Sequence, residues 1–254
     1  LQSYKKQYAV PRKTLIDNLE EAVVEEKKIE EMDVVFLMDR FGYAKTVDVS
    51  VYERNKEAAD TENRYILTCK NTDKICIFTN KGQMHLLKVL DLPYGKFRDK
   101  GIPIDNLSNY NSSEENFIYI INLGAIIHSR LLFGTKTAML KMVDGSEFDV
   151  AKRTTAATKL NEDDELLIVH AMTGEETVVM QSEKEMFLRI EASTIPEKKK
   201  GAVGVRGMKL NAGDALSNIY VLDGESEQTV EVKGKEVVLN RLRVGNRDTK
   251  GTKR

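Results

Sequence analysis

The chain has 254 residues, 41% hydrophobic and 31% charged, with a formal net charge of −1. That balance excludes a disordered chain, and the length is enough for a sizeable core. It also excludes a bulk attraction for polyanions, so any nucleic-acid binding has to come from segregated charge.

Residues 1–30 read as a connector. Leu15, Ile16, Leu19, Ala22 and Val23 recur at helical spacing, with Pro11 just ahead where a helix start tolerates it. From Met32 the pattern is β-like to the end. Five stretches then share one plan, an apolar strand, a tight turn and a strand carrying a basic residue: 34–46, 74–86, 131–141, 177–189 and 229–239. Apolar strands at 65–68, 117–121, 166–169 and 219–222 precede four of these hairpins, and each is expected to join the hairpin that follows it. Polar loops at 100–107, 156–164 and 207–214 share a second pattern, ending in Asn and Asp. Hairpins that start roughly 40 to 60 residues apart suit propeller blades, none of which can bury its apolar face alone. The expected fold is all-β, a propeller-like array of about five four-stranded blades over 31–254, after a short helical connector over 1–30.

Charge is segregated. Lys198 to Lys209 holds five basic residues and no acid, and Lys233 to Arg254 holds eight against Glu236 and Asp248. Acids gather at 162–165 and over 20–31. Repetition would set the hairpin cations Arg40, Lys45, Lys81, Lys136, Lys141, Lys184, Arg189, Lys233 and Lys235 at intervals along one rim. Loop cations Lys96, Arg98, Lys100, Lys152, Arg153, Lys198, Lys199, Lys200, Arg206 and Lys209 would extend the track. Duplex DNA carries a negative charge about every 1.7 Å of axis, and such a track meets it without reading bases.

The hairpin plan resembles that of the C-terminal domains found in the A subunits of DNA gyrase and topoisomerase IV. Arg40-Phe41-Gly42-Tyr43-Ala44-Lys45 and Thr79-Asn80-Lys81-Gly82 match its turn best. The segment Gly201 to Asp214 is similar to the family's glycine-arginine loop and the Lys-Leu-x-x-x-Asp that opens the next blade. Tyr8 to Thr14 is similar to the connector from the breakage-reunion core. The resemblance implies a β-pinwheel whose neighbouring blades exchange strands and whose basic rim carries bent DNA. It implies as partners duplex DNA, the breakage-reunion core and the ATPase B subunit. It also implies no catalysis and no cofactor in this domain, since ATP and Mg²⁺ act elsewhere in the parent enzyme. Gyrase has a Gln-Arg-Arg-Gly-Gly-x-Gly box after its first hairpin. Here Glu53 to Asp60 has no glycine pair. That absence, with five hairpins rather than six, favours topoisomerase IV or a box-less gyrase-like relative.

Other chemistry is sparse. His85, His128 and His170 are far apart and read as strand or surface histidines. Gly201-x-x-Gly204-x-x-Gly207 lacks the strand–helix context of a phosphate loop. Asp163, Asp164 and Glu165 read as a solvated turn. Cys69 and Cys76 show no framework spacing and read as reduced thiols of a cytoplasmic protein. No apolar run approaches the roughly 20 residues that span a bilayer, and no signal-peptide pattern opens the chain. Its start at Leu1 rather than Met points to a piece of a longer protein. The alternative is a propeller for protein–protein interaction, which would show an apolar or aromatic patch. The absence of Trp and 7% aromatic content count against it.

Overall fold

The computed structural model describes residues 2–8 and 30–254, in two compact units, Leu1–Glu30 and Glu31–Arg254. In the first, α1 (Gln2–Tyr8) stacks the rings of Tyr4 and Tyr8, with centroids 6.2 Å apart. The helix expected over 15–23 lies outside the described residues.

The second unit begins with β1 (Asp33–Asp39) and β2 (Tyr43–Asp48), followed by α2 (Val49–Arg54), α3 (Lys56–Glu62) and β3 (Asn63–Lys70). The second hairpin is β4 (Lys74–Thr79) and β5 (Gln83–Lys88), with β6 (Ile102–Pro103) and β7 (Phe117–Asn122) after it. A short α4 (Leu123–Ile126) leads into β8 (Arg130–Thr135) and β9 (Met139–Asp144), then β10 (Thr154–Ala156) and β11 (Leu166–Met172). The fourth hairpin is β12 (Thr177–Ser182) and β13 (Met186–Glu191), with β14 (Val205–Arg206) and β15 (Leu216–Leu222) behind it. Last come β16 (Thr229–Val232), β17 (Lys235–Val238) and β18 (Thr252–Lys253).

All five expected hairpins are present. They build four antiparallel sheets ordered β3-β1-β2-β6, β10-β5-β4-β7, β11-β8-β9-β14 and β15-β12-β13-β18, and a two-stranded β16-β17. The fifth blade is thus a bare hairpin among the described residues. Pairing differs from expectation in one respect. Each strand that precedes a hairpin belongs to the previous sheet: β3 pairs with β1, β7 with β4, β11 with β8 and β15 with β12. The link 71–73 between β3 and β4 is as short as a hairpin turn, yet it carries the chain from one sheet to the next. The far edge of each sheet is filled from beyond the following hairpin, as when β6 reaches back to β2. Blades therefore exchange strands.

Period-two alternation explains the stacking, because successive side chains point to opposite faces. Ile75 and Ile77 pack towards blade 1 with Val34, Phe36 and Met38, whereas Cys76 and Phe78 pack towards blade 3 with Leu131 and Phe133. Val178 and Met180 face Leu132 and Leu140, and Val179 faces the fifth hairpin through Val232 and Leu239. Both faces of each inner blade are buried, which is why these strands read as unbroken apolar runs. Among the described residues no other sheet packs on the outer side of blade 1. Its outer face, Val35, Leu37 and Val47, is covered by Tyr52 and Ala59 of α2 and α3. The β-like reading of everything after Met32 is corrected here, since 49–62 form two helices that cap the stack.

Four hairpin turns share one conformation, with φ of +86° at Gly42, +70° at Gly82, +64° at Ala138 and +63° at Glu185. The first two positions use the residue for which a left-handed backbone costs nothing. Asp164 and Asp214 then fasten the following loops to the turns. Asp164 accepts from the Thr137 amide (2.9 Å) and hydroxyl (2.6 Å), and Asp214 from the Ser182 hydroxyl (2.8 Å). Asp164 is buried rather than solvated, because its carboxylate closes this turn.

Candidate nucleic-acid interface

The basic residues fall into two sets with different surroundings. One set sits at hairpin turns, the other on the connections that return to fill a sheet edge. These connections run from 92 to 101, 149 to 153, 195 to 204 and 242 to 251, ending in β6, β10, β14 and β18 at the same edge of successive sheets.

The turn set is largely engaged. Lys81 pairs with Glu165 (2.9 Å), Lys233 with Glu185 (2.7 Å), and Lys184 donates to the Ala212 carbonyl (2.8 Å). Lys136 is half-buried, with its main chain bonded to Glu165 and Leu216 of adjacent segments. Arg40 lies over the exposed Phe41 ring at 4.7 Å. Lys235 is exposed on β17, and exposed Lys209 follows Met208 into the loop before β15.

Most of the connection set is free of acidic partners. Lys96, Arg98, Lys100, Lys152, Arg153 and Lys198 are exposed and, among the described residues, none has an acidic side chain within ion-pairing distance. Lys199 is also exposed, with Glu147 3.5 Å away, and Arg206 meets Asp248 at 3.3 Å. Lys200 is half-buried, its ammonium on the Glu147 carbonyl (2.7 Å). The last connection adds exposed Arg243 and Lys250 and half-buried Arg247, which the residue-by-residue reading did not single out. Their signal was positional: Leu239 to Gly251 follows the fifth hairpin as Ala192 to Gly204 follows the fourth.

Three expected rim cations lie beneath the loops instead. Lys141 is 1% exposed. Its ammonium donates to the carbonyls of Lys199 (3.2 Å), Lys200 (2.8 Å) and Ala202 (2.7 Å) and lies 5.5 Å from the Phe133 ring. Burial pulls its pKa down to about 8, with Glu147 opposing the shift. Lys45 is half-buried and donates to the carbonyls of Phe97 and Asp99, the latter at 2.9 Å. Burial lowers its pKa, against Glu62, Asp99 and Asp39. Arg189 is half-buried, and its guanidinium donates to Thr177 (2.9 Å) and to the carbonyls of Asn240 and Leu242. A cation whose donors are taken by buried or loop carbonyls is not displayed on the surface, so these three anchor the connections instead.

Glycine makes room for this. Gly101 stands against Ala44 and Gly204 against Leu140, where an added Cβ would lie 2.6 and 2.7 Å from the facing carbonyl oxygen. Blade 2 differs at both partners. His85 replaces the lysine and Thr154 the glycine, and His85 is bonded to Thr154 (3.0 Å) and to buried Glu115 (2.8 Å).

Comparison with known proteins now decides what the array is. The model of the family described as DNA gyrase C-terminal domain, beta-propeller, matches residues 129–171 and 176–223, the third and fourth blades. The DNA gyrase A subunit of Lawsonia intracellularis is 28% identical over 97% of this chain, and that of Staphylococcus epidermidis 30% over 92%. This is a domain of the kind found at the C-terminal end of type IIA topoisomerase A subunits. The chain spans 32% and 28% of those two relatives. The fold agrees. A crystal structure of the C-terminal domain of DNA topoisomerase IV superposes with a TM-score of 0.78 at 22% identity, covering 88% of this chain and 73% of that one. The DNA gyrase A C-terminal domain gives 0.58 at 17% identity, covering 87% and 76%. The β-pinwheel that the resemblance implied, with strands exchanged between blades, is the architecture found.

Helices α2 and α3 occupy the place after the first hairpin where the sequence lacks a glycine-rich box. Asn55 joins them, and Tyr52 accepts from Lys56 (2.8 Å) and donates to Asp60 (2.9 Å). No helix among the described residues is long and apolar enough to cross a membrane.

Proposed function

We propose that this chain is a non-catalytic domain that binds and bends duplex DNA and presents the segment to be transported to the cleavage core of a parent topoisomerase. The observation that carries this reading is the recurrence of exposed, unpaired cations on equivalent connections at one edge of successive sheets. Regular spacing of positive charge along a stacked array suits a polyanion whose charge is also regular, and it explains how a chain of net charge −1 can bind one. Contacts of this kind hold the backbone without reading bases, so site preference would come from the cost of bending. In this reading the domain works in the cytoplasm, beside a breakage-reunion core on the same chain and an ATPase B subunit. ATP and Mg²⁺ act on those parts, and no cofactor acts here.

Within the family the helical α2–α3 segment supports a topoisomerase IV-type or box-less domain, as does the higher TM-score with the topoisomerase IV domain. The relatives by sequence carry the gyrase name, so a topology assay is the arbiter. Relaxed plasmid closed in the presence of a box-less domain should gain little positive writhe; strong positive wrapping would assign the chain to gyrase. Binding itself is tested by fluorescence anisotropy with a duplex of about 40 base pairs across a salt series, where log affinity should fall by about 0.9 per neutralised phosphate for each tenfold rise in salt. No binding at low salt would remove the DNA reading and leave a protein-binding scaffold.

A further inference from the structure

Two connections share a feature that charge alone does not explain. In the connection 195–204, the carbonyls of Lys199, Lys200 and Ala202 all turn inward onto the Lys141 ammonium. In 92–101, those of Phe97 and Asp99 turn inward onto Lys45. A trans peptide is planar, with its C=O and N–H pointing in opposite directions. An inward carbonyl therefore turns the next residue's amide outward. The amides so turned belong to Gly201 and Val203 in one connection, and to Arg98 and Lys100 in the other. Among the described residues none of these four N–H groups has an acceptor. The Lys200 amide, turned by the Lys199 carbonyl, is taken by Glu147 (3.0 Å). Gly201, Arg98 and Lys100 are exposed and Val203 half-exposed, so the free amides lie beside free cations.

We infer that Lys141 and Lys45 are positioning residues that shape these two connections into main-chain phosphate seats. Each seat offers two outward amides and neighbouring Lys or Arg side chains to successive phosphates of a duplex. The inference rests on the DNA-binding reading above and adds where the phosphates sit. Paired outward N–H groups make a concavity that suits an anion, and fixed donors cost less to order on binding than free lysine chains. Blade 2 has no such seat, because His85 bonds to Thr154 and Glu115 instead of to loop carbonyls.

The test uses the whole chain with ¹⁵N-labelled glycine and valine, titrated with a 20-base-pair duplex at low salt. The Gly201 and Val203 amide resonances should move downfield as the duplex binds. In Lys141→Met, which keeps the aliphatic stem but removes the donors, those shifts should vanish. Affinity should fall about thirtyfold, the worth of two ordinary main-chain hydrogen bonds. Circular dichroism and the unfolding midpoint establish that the variant is folded, and if it is not, the wild-type titration still decides. Duplex binding with unmoved Gly201 and Val203 amides would overturn the phosphate seats and leave the DNA reading standing. Absence of duplex binding would overturn both.

Discussion

The division of cations into engaged and free sets makes a prediction that composition alone cannot make. Consider two triple variants, each removing three positive charges. One removes Lys152, Arg153 and Lys198, which are exposed and unpaired on the connections. The other removes Lys81, Lys184 and Lys233, whose ammonium groups are held by Glu165, the Ala212 carbonyl and Glu185. If the connections carry the duplex, the first variant loses three phosphate contacts, and its log–log salt slope falls by about 2.7. Across a fourfold change in salt, wild-type affinity then drops about 40-fold more than that variant's. The second variant changes the same net charge but leaves the slope nearly unaltered. Anisotropy titrations from 50 to 200 mM salt measure both. Equal slope reductions in the two variants would refute the division and return the binding track to the hairpin turns.

Other consequences concern stability. Gly145→Ala should cost about 3 kcal/mol or more in urea unfolding, because its Cβ would sit 1.8 Å from the Ile126 carbonyl oxygen, a backbone atom that cannot swing away. Glu176 is 4% exposed; burial would raise its pKa, but the Thr173 amide (2.6 Å) and hydroxyl (2.7 Å) and the Gly174 amide (2.7 Å) together hold it at about 2. Its folded value lies below the unfolded one, so its stabilisation is present above about pH 4.5 and lost as pH falls through 2. Glu176→Gln should remove that acid-side slope and cost on the order of 3 kcal/mol at pH 7, read from urea midpoints against pH. For Lys141 the folded value of about 8 also lies below the ordinary lysine value of 10.5. The unfolded chain then binds more protons between pH 8 and 10.5, so this group makes stability rise with pH across that window. Lys141→Met should flatten the rise, read from urea midpoints against pH; at pH 7 the relief of a buried charge is opposed by three carbonyls left without their donor.

Much of the fold was legible in the sequence because the hairpins carry two independent signals. Ile75 to Phe78 and Leu131 to Phe133 are apolar without interruption, and Gly42 and Gly82 supply the left-handed turn position. What pairs with each hairpin was not legible. Strand β3 is apolar on either assignment, and only the packing of whole sheets decides that it joins β1. Strands of two residues, such as β6 and β14, are too short for any periodicity to register. At the candidate interface, the run Lys198 to Lys200 was visible as charge. The burial of Lys141 was not, because a lysine between Leu140 and Met142 looks the same whether its tip reaches water or carbonyls. A glycine falls opposite that lysine and opposite Lys45, and a threonine falls opposite His85. That pattern could have separated the buried cations from the surface ones.

Strand exchange also bears on how the array could hold bent DNA. Each connection is anchored at one end to the hairpin of its own blade and at the other to the edge of the previous blade, as 92–101 runs from β5 to β6. A force applied to such a connection by a stiff duplex is therefore shared by two sheets rather than borne by one loop. Bending a site of 20 to 30 base pairs costs of order 1 to 6 kcal/mol, which a freely mobile loop would return by moving with the DNA. The buried ammonium of Lys141 ties one of these spans to the sheet beneath, and the guanidinium of Arg189 ties the start of another. The same elements that interlock the blades thus keep the cations at fixed spacing, and fixed spacing is what lets a row of surface charges impose a curve.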